Sequence, residues 1–357
     1  MSALGLSEIF ARLHAQGLVA QPEAPVLPPY DQESPWYVRL MAGFGAWLGG
    51  MFMLGTIMSL FTLALRSAGG MMALGIIMLG IAFALYRAAR NSEALQQLGL
   101  AASMAGQFAL AFGVMDLFHW RSHEIAGFLC LLQIGLVVLM DGVLHRYLSA
   151  LFAAMAAYWF LAHLHALPLG GAVLAILVAG IWMKEAAWTA ANRARLWRPV
   201  GHALALALLC WQAPLSLGSM LMWFFNRGSA ELAVPGWVAP LAYAICLAGV
   251  VGEVARSQAP RAWPRWVAAA FVVSAAAWLA PGLLTALLVL VLGVAAGNRA
   301  LVGLAIVAAA WYLGAYYHQM QTTLLEKSAV MVGTGLVLIA LRLLLAKLWP
   351  EAEADHA

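Results

Sequence analysis

The chain has 357 residues, of which 64% are hydrophobic and only 10% are charged. Soluble domains carry roughly a quarter charged residues, so this composition excludes a soluble globular protein. The net charge of +4 does not indicate a nucleic-acid partner, because the basic residues lie between apolar runs, where membrane topology accounts for them. Cys130, Cys210 and Cys246 lie inside apolar runs with no CxxC pattern, so neither a disulfide framework nor a cysteine zinc site is expected.

The apolar runs are about 16–25 residues long, which is the length that a helix needs to cross a ~30 Å hydrocarbon core. Backbone groups in lipid must be satisfied within their own segment, so these runs are expected to be α-helices. We therefore predict an all-α, polytopic transmembrane helix bundle with about 12 spans. The predicted spans cover residues 40–63, 70–86, 97–118, 125–140, 147–165, 168–183, 200–224, 237–254, 265–280, 282–297, 300–317 and 328–347.

The amino-terminal segment predicts a short amphipathic helix. Leu6, Ile9, Phe10 and Leu13 follow the spacing of one helical face. The opposite face is polar but not basic, which favours docking on a protein surface over lying on lipid. The chain thus divides into a cytoplasmic helix and Pro-rich linker (1–35), a transmembrane helical domain (36–348) and an acidic cytoplasmic tail (349–357).

The distribution of basic residues predicts the orientation. With the amino terminus inside, all of the 19 Lys and Arg residues lie on the inner side except Arg66, Arg121, Arg227 and Lys327. This asymmetry follows the positive-inside rule along the whole chain and predicts that both termini are cytoplasmic. The longest basic inner loop, around 184–199, is a candidate division between two six-span halves. The halves show no convincing sequence repeat, so one packed unit is expected.

Polar side chains near the middle of the predicted spans are few and uncharged. They are Gln107, Gln133, Gln212, Ser274 and Thr285, whereas every carboxylate lies in a tail, a loop or a span end. Ion-coupled transporters commonly keep an ionisable group at mid-membrane, so this pattern disfavours such a pump. The five polar groups either line a cavity or form hydrogen bonds between helices.

Five of the nine histidines lie on the predicted outer side, at His119, His123, His163, His165 and His318, and the first four form a candidate site. The first two are four residues apart, which puts both imidazoles on one helical face and is compatible with a metal or proton site. The alternative is that these rings favour the membrane interface for their amphipathic character. The chain has no HExxH motif.

Two pairs of glycines have the spacing that permits close helix packing, namely Gly45 with Gly49 and Gly293 with Gly297. Neither pair resembles a phosphate loop, because no GK[ST] sequence follows. The chain also lacks a GxSxG motif and a plausible catalytic triad, so we assign no catalytic residue and expect no cofactor.

The most distinctive sequence segments lie near the two ends of the predicted membrane domain. It comprises SPWYVR at 34–39, GFGAW at 43–47, WYLGAYY at 311–317, TTLLEKS at 322–328, and then Gly335 and Arg342. These segments resemble an uncharacterised bacterial family called domain of unknown function 4401. The resemblance implies a multi-pass inner-membrane protein, often encoded beside a membrane-anchored protein with a GDYXXLXY motif, and it brings no enzymatic activity.

The leading hypothesis is a non-enzymatic subunit or scaffold of an envelope complex, in which Tyr316, Tyr317, Thr323 and Lys327 bind the membrane-anchored partner. The same residues also fit a capped, interface-anchored helix with no partner. Two other functions stay open. One is a transporter or lipid-handling protein with a cavity between the six-helix halves, and the other is an outer-face metal-dependent membrane enzyme.

Overall fold

The computed structural model describes residues 67–88, 93–217, 234–258, 260–277 and 282–319, with isolated residues at 15, 41, 45, 48, 52, 55, 56, 325, 328, 332 and 339. Those five segments form eleven helices and no strand. In chain order the helices are α1 (Ala68–Ala88), α2 (Glu93–Phe118), α3 (Ser122–Leu139), α4 (Val143–His163), α5 (Leu167–Met183), α6 (Glu185–Ala190), α7 (Ala194–Leu217), α8 (Val238–Gln258), α9 (Trp263–Ala277), α10 (Leu283–Ala295) and α11 (Arg299–Gln319).

The all-helical prediction is confirmed for the described segments, and ten of the predicted spans each coincide with one helix. The short α6 was not predicted and lies in the basic loop after α5. Four helices are long and apolar enough to cross a membrane, by length and composition, and three shorter helices are also apolar. The predicted amino-terminal helix and the predicted spans 40–63 and 328–347 lie outside the described residues, apart from isolated positions.

Proline and glycine set two of the helix boundaries. Pro168 occupies the first turn of α5, where a missing N–H leaves no helical hydrogen bond unmade. Gly282 begins α10 with a φ of 89°, in the left-handed region that favours glycine. A Cβ at Gly282 would also lie 2.6 Å from the ring of Tyr312, so this turn needs glycine for space as well as for conformation.

Helices α1 and α2 approach each other backbone to backbone. A Cβ placed at Gly106 would lie 2.8 Å from the carbonyl oxygen of Gly75, and one at Gly113 would lie 2.7 Å from the backbone nitrogen of Met72. Gly99, seven residues before Gly106, lies against the ring of Tyr86, which a Cβ at this position would approach to 3.2 Å. Heptad-spaced glycines on α2 therefore form the surface against which α1 packs.

The main core joins helices from both predicted halves of the bundle, because α4, α5, α7, α8, α10 and α11 all contribute to one cluster of buried apolar side chains. Small residues on α5 and α7 let the neighbouring helices come close, and leucine and valine fill the remaining space. The side chains with no exposed surface in this cluster are Ala175, Val178, Ala205, Ala207, Leu208, Leu288, Val289 and Leu301.

Candidate functional site

A chain of hydrogen-bonded polar side chains crosses the interior between α2, α3 and α4. Gln133 donates from Nε2 to Oε1 of Gln107 at 2.6 Å, and Gln107 donates from Nε2 to Oγ of Ser103 at 3.0 Å. Ser103 lies 2.8 Å from Nε2 of His145, whose Nδ1 is 3.3 Å from Oγ of Ser149. All five side chains are buried, so their partners replace the water that they lack.

Part of this chain has a fixed direction, because Gln133 donates to Gln107 and Gln107 donates to Ser103. A serine hydroxyl carries one donor and two acceptor sites, so the bond from Gln107 leaves Ser103 free either to donate to Nε2 of His145 or to accept from it. Among the described residues Oε1 of Gln133 has no partner, so this end of the chain is open. The buried polar bonds tie three helices together.

Arg146 lies next to this chain and joins three elements at one end of the bundle. Its Nη2 donates to Oδ1 of Asp141 at 2.7 Å, and its Nε donates to the carbonyl of Val137 at 3.2 Å. Its Nη1 donates to the carbonyl of Arg195 at 3.4 Å. The Arg146 side chain is 10% exposed, whereas that of Asp141 is 54% exposed. The guanidinium is thus fixed by the protein while its counter-ion stays hydrated.

A cavity of about 190 Å³ opens beside Arg146, at the end of the bundle that the charge asymmetry predicts to be cytoplasmic. It lies where α1 ends and where α2, α4 and α7 begin. Its lining is mainly polar and consists of Tyr86, Gln96, Asp141, Gly142, Val143, Arg146 and Arg195.

A second, wider cavity of about 510 Å³ lies at the same end, between helices of the two predicted halves. Glu185 and Arg198, which form an ion pair at 3.4 Å, line it together with Glu253. Its lining also includes apolar residues such as Leu292 and Ala296 at the end of α10. The lining therefore combines charged and apolar side chains, which suits an amphiphilic group.

The remaining polar groups inside the predicted spans form hydrogen bonds. Gln212 donates to the hydroxyl of Tyr243 at 2.7 Å, which links α7 to α8. Ser274 and Thr285 each donate to a backbone carbonyl of their own segment, at 2.7 Å in both cases. Gln107 and Gln133 likewise pair across α2 and α3. Two of these bonds therefore join neighbouring helices, whereas those of Ser274 and Thr285 stay within one segment.

The structure brings two of the four predicted metal-site histidines together. The rings of His123 and His163 stack with centroids 3.8 Å apart and planes 9° from parallel. Lone pairs of stacked imidazoles point in parallel rather than toward one ion. His119 and His165 have φ of 51° and 52° and lie in the turns that follow α2 and α4. Within the described residues no three His, Cys, Asp or Glu side chains are grouped closely enough to hold a metal ion. The metal site at these histidines stays a prediction.

The predicted partner-binding residues are only partly described. Tyr316 and Tyr317 lie on the last turns of α11 and are half-buried. Thr323 and Lys327 lie outside the described residues.

The predicted packing glycines differ in role. A Cβ at Gly293 would lie 2.9 Å from the backbone nitrogen of Val302, so α10 and α11 meet closely there. Gly297 has a φ of 62° and lies in the turn after α10, where its left-handed conformation helps to end the helix. Gly49 is outside the described residues, and Gly45 is an isolated described position.

Sequence reasoning did not single out Ser103, His145, Ser149 or Arg146. A signal was present, because Ser103 with Gln107 and His145 with Ser149 are polar pairs spaced four residues apart in otherwise apolar helices. The glycines at positions 99, 106 and 113 carried a second signal in their spacing of seven residues.

The family model described as Domain of unknown function (DUF4401) matches residues 35–348, which is most of the chain. The chain belongs to the DUF4401 family. This confirms the resemblance that the two ends of the sequence indicated. The DUF4401 match includes all eleven helices and both cavities. No curated protein and no solved structure matches the chain.

Proposed function

We propose that this protein is a non-enzymatic, twelve-span protein of the bacterial inner membrane, with both termini in the cytoplasm. It acts as a subunit or scaffold of an envelope complex and binds a small membrane-anchored protein of the GDYXXLXY type. Its expected partners are the lipid bilayer and the GDYXXLXY-type protein, and no nucleic-acid partner is expected.

The observation that supports this proposal best is the filled centre of the bundle. Where α5 and α7 of the two predicted halves meet α10, side chains such as Val178, Leu208 and Leu288 have no exposed surface. Such packing suits a rigid body that presents its surface to a partner, since a translocation path needs polar or removable groups along the bundle axis.

The partner surface is proposed at the outer end of α11 and the connection that follows it. Tyr316 and Tyr317 offer large amphipathic rings that lose little conformational entropy on binding. Lys327 offers a cation to an acidic group of the partner.

The variant Lys327→Ala tests this surface. We expect it to leave insertion and folded yield unchanged, because the many inner cations determine the topology. Co-purification of the GDYXXLXY-type protein should fall, and fall further as the salt concentration rises. The matched control is Lys184→Ala, an exposed residue at the opposite end. Unchanged partner recovery per folded molecule in Lys327→Ala would rule out this surface.

Reporter fusions test the proposed topology. Fusions after residues 120, 190 and 357 should report outside, inside and inside, respectively. The first two positions lie in the turn after α2 and at the end of α6. An outside signal at residue 357 would contradict the twelve-span arrangement.

The wide cavity between the halves favours a second function, in which the protein handles an amphiphile such as a lipid. Ala296 lines this cavity, so Ala296→Trp would place a large side chain in it. If the protein is a scaffold, this variant keeps its partner at the wild-type level. If it transports or handles a lipid, the same variant loses cellular function while it keeps both its fold and its partner.

A further inference from the structure

The smaller cavity has the features of an anion site, and these features are independent of the proposed scaffold function. Its volume of about 190 Å³ is well above the roughly 15 Å³ that one water molecule needs. Four helix ends converge on it, and its lining contains two arginines and one aspartate. Its formal charge is therefore positive.

Arg146 supplies a pre-positioned guanidinium at this cavity. Its bonds to Asp141, Val137 and Arg195 use three of the five N–H donors that an arginine carries. Because the side chain is nine-tenths buried and held on three sides, little rotamer entropy is lost when a ligand binds. A planar guanidinium fixed in this way matches the oxygens of a phosphate group.

Arg195 adds a second, exposed cation. It lies in the first turn of α7, and its backbone carbonyl accepts the bond from Arg146. Both arginines line the cavity, so the bond between them connects two cationic residues of one site.

The start of α4 adds backbone donors. Gly142 is the N-cap and provides no side-chain cap, and the first helical bond of α4 runs from the N–H of Arg146 to the carbonyl of Gly142. The N–H groups of the first turn therefore precede the helical ladder, at the positive end of a 21-residue helix. A Cβ at Gly142 would lie 2.5 Å from the ring of Tyr86, so glycine is needed for the ring to pack on this turn.

We propose that this cavity binds a phosphate group, either from an anionic lipid headgroup of the adjacent leaflet or from free inorganic phosphate. The fixed guanidinium of Arg146, the exposed guanidinium of Arg195 and the start of α4 together bind the phosphate oxygens. A basic pocket between helices at the cytoplasmic side is the environment in which lipid headgroups are recognised. Among the described lining residues, Asp141 is the one group that opposes an anion.

The test measures ligand-dependent thermal stabilisation of the full chain, purified in a neutral detergent. The probes are short-chain phosphatidylglycerol, short-chain diacylglycerol without phosphate, and inorganic phosphate. The variants are Arg195→Gln, Asp141→Asn, and Arg193→Gln as the control. Arg193 is exposed two residues before Arg195 and is not part of the lining. Arg146 is left intact because its loss would disturb three elements.

We expect phosphatidylglycerol to stabilise the protein and diacylglycerol not to do so. Arg195→Gln should weaken binding about fivefold, which corresponds to about 1 kcal/mol for one cation near a membrane surface. Asp141→Asn should strengthen it, because Asn keeps the acceptor for Arg146 and removes the opposing charge. If inorganic phosphate alone gives the same shift with the same Arg195 dependence, the ligand is free phosphate. Equal shifts with both lipids, or equal affinity in Arg195→Gln and Arg193→Gln, would overturn the proposal.

Discussion

The α1–α4 region and the central core use different means to hold helices together. In the first, glycines let α1 and α2 touch through their backbones, and buried hydrogen bonds connect α2, α3 and α4. In the central core, interlocking alanine, valine and leucine side chains fill the space. Lipid tails are as apolar as leucine, so association in the central core rests mainly on close packing, with the Gln212–Tyr243 bond between α7 and α8. In the α1–α4 region it rests on backbone packing together with a chain of polar bonds.

The difference shows where the described bundle can bind a polar ligand. The central core keeps its shape because its side chains are closely packed, and its polar pair Gln212 and Tyr243 is bonded internally. The α1–α4 region has a chain of hydrogen-bonded polar groups, a fixed arginine and an adjoining cavity.

Truncation in the central core should have the largest effect. Leu208 is fully buried, and Leu208→Ala removes three carbons and leaves a cavity, which costs about 2–5 kcal/mol in well-packed cores. The control Leu131→Ala affects a side chain that is 72% exposed. Thermal melting in detergent should show a large loss for the first variant and little for the second. Similar melting of both would show that the core is not tightly packed.

Replacement of Arg146 should cause the second-largest loss of stability. Arg146→Leu leaves the carbonyls of Val137 and Arg195 without their donor in a partly buried site. Because Asp141 stays hydrated, we expect a cost of about 2–3 kcal/mol, at the lower end for a buried pair. The control Arg198→Leu removes an exposed ion pair that is worth about 0–1 kcal/mol. If the two variants are equally stable, the bonds of Arg146 contribute no more stability than an exposed ion pair.

A side chain added between α1 and α2 should destabilise the protein by about 1–3 kcal/mol through overpacking. Gly106→Val tests this, because its Cβ would meet backbone atoms that cannot move aside cheaply. The control Gly80→Val adds the same group at an exposed position of α1. If Gly106→Val melts like Gly80→Val, the two helices are not in backbone contact.

The smallest effect concerns one bond of the polar chain. Gln107 and Ser103 are bonded at 3.0 Å, and side-chain hydrogen bonds inside membrane proteins average about 0.6 kcal/mol. A double-mutant cycle with Gln107→Leu and Ser103→Ala should give a coupling energy of this size. As a control, Gln212→Leu combined with Ser103→Ala should be additive, because Gln212 bonds to Tyr243 in the other region. A coupling energy of zero between Gln107 and Ser103 would remove the polar chain from this account.

Much of this architecture was readable from the sequence because the physics of a lipid environment is restrictive. Apolar runs located ten helices, and Pro168 and Gly282 marked two boundaries. The pairing of Ser103 with His145 was not readable, because 42 residues separate them and only tertiary packing decides which helices are neighbours. The sequence placed His123 and His163 on the same predicted outer side of the membrane. It did not predict that their rings stack in parallel.

The central claim is that this packed bundle is a scaffold for a membrane-anchored protein. The most direct measurement is affinity purification of the tagged full chain from native membranes in a mild detergent, followed by quantification of the proteins that accompany it. If the protein is this scaffold, a GDYXXLXY-type membrane-anchored protein should be recovered in near-equimolar amount, both with wild type and with the cavity-filling variant Ala296→Trp. Recovery of folded protein with no such partner, across several mild detergents, would contradict it.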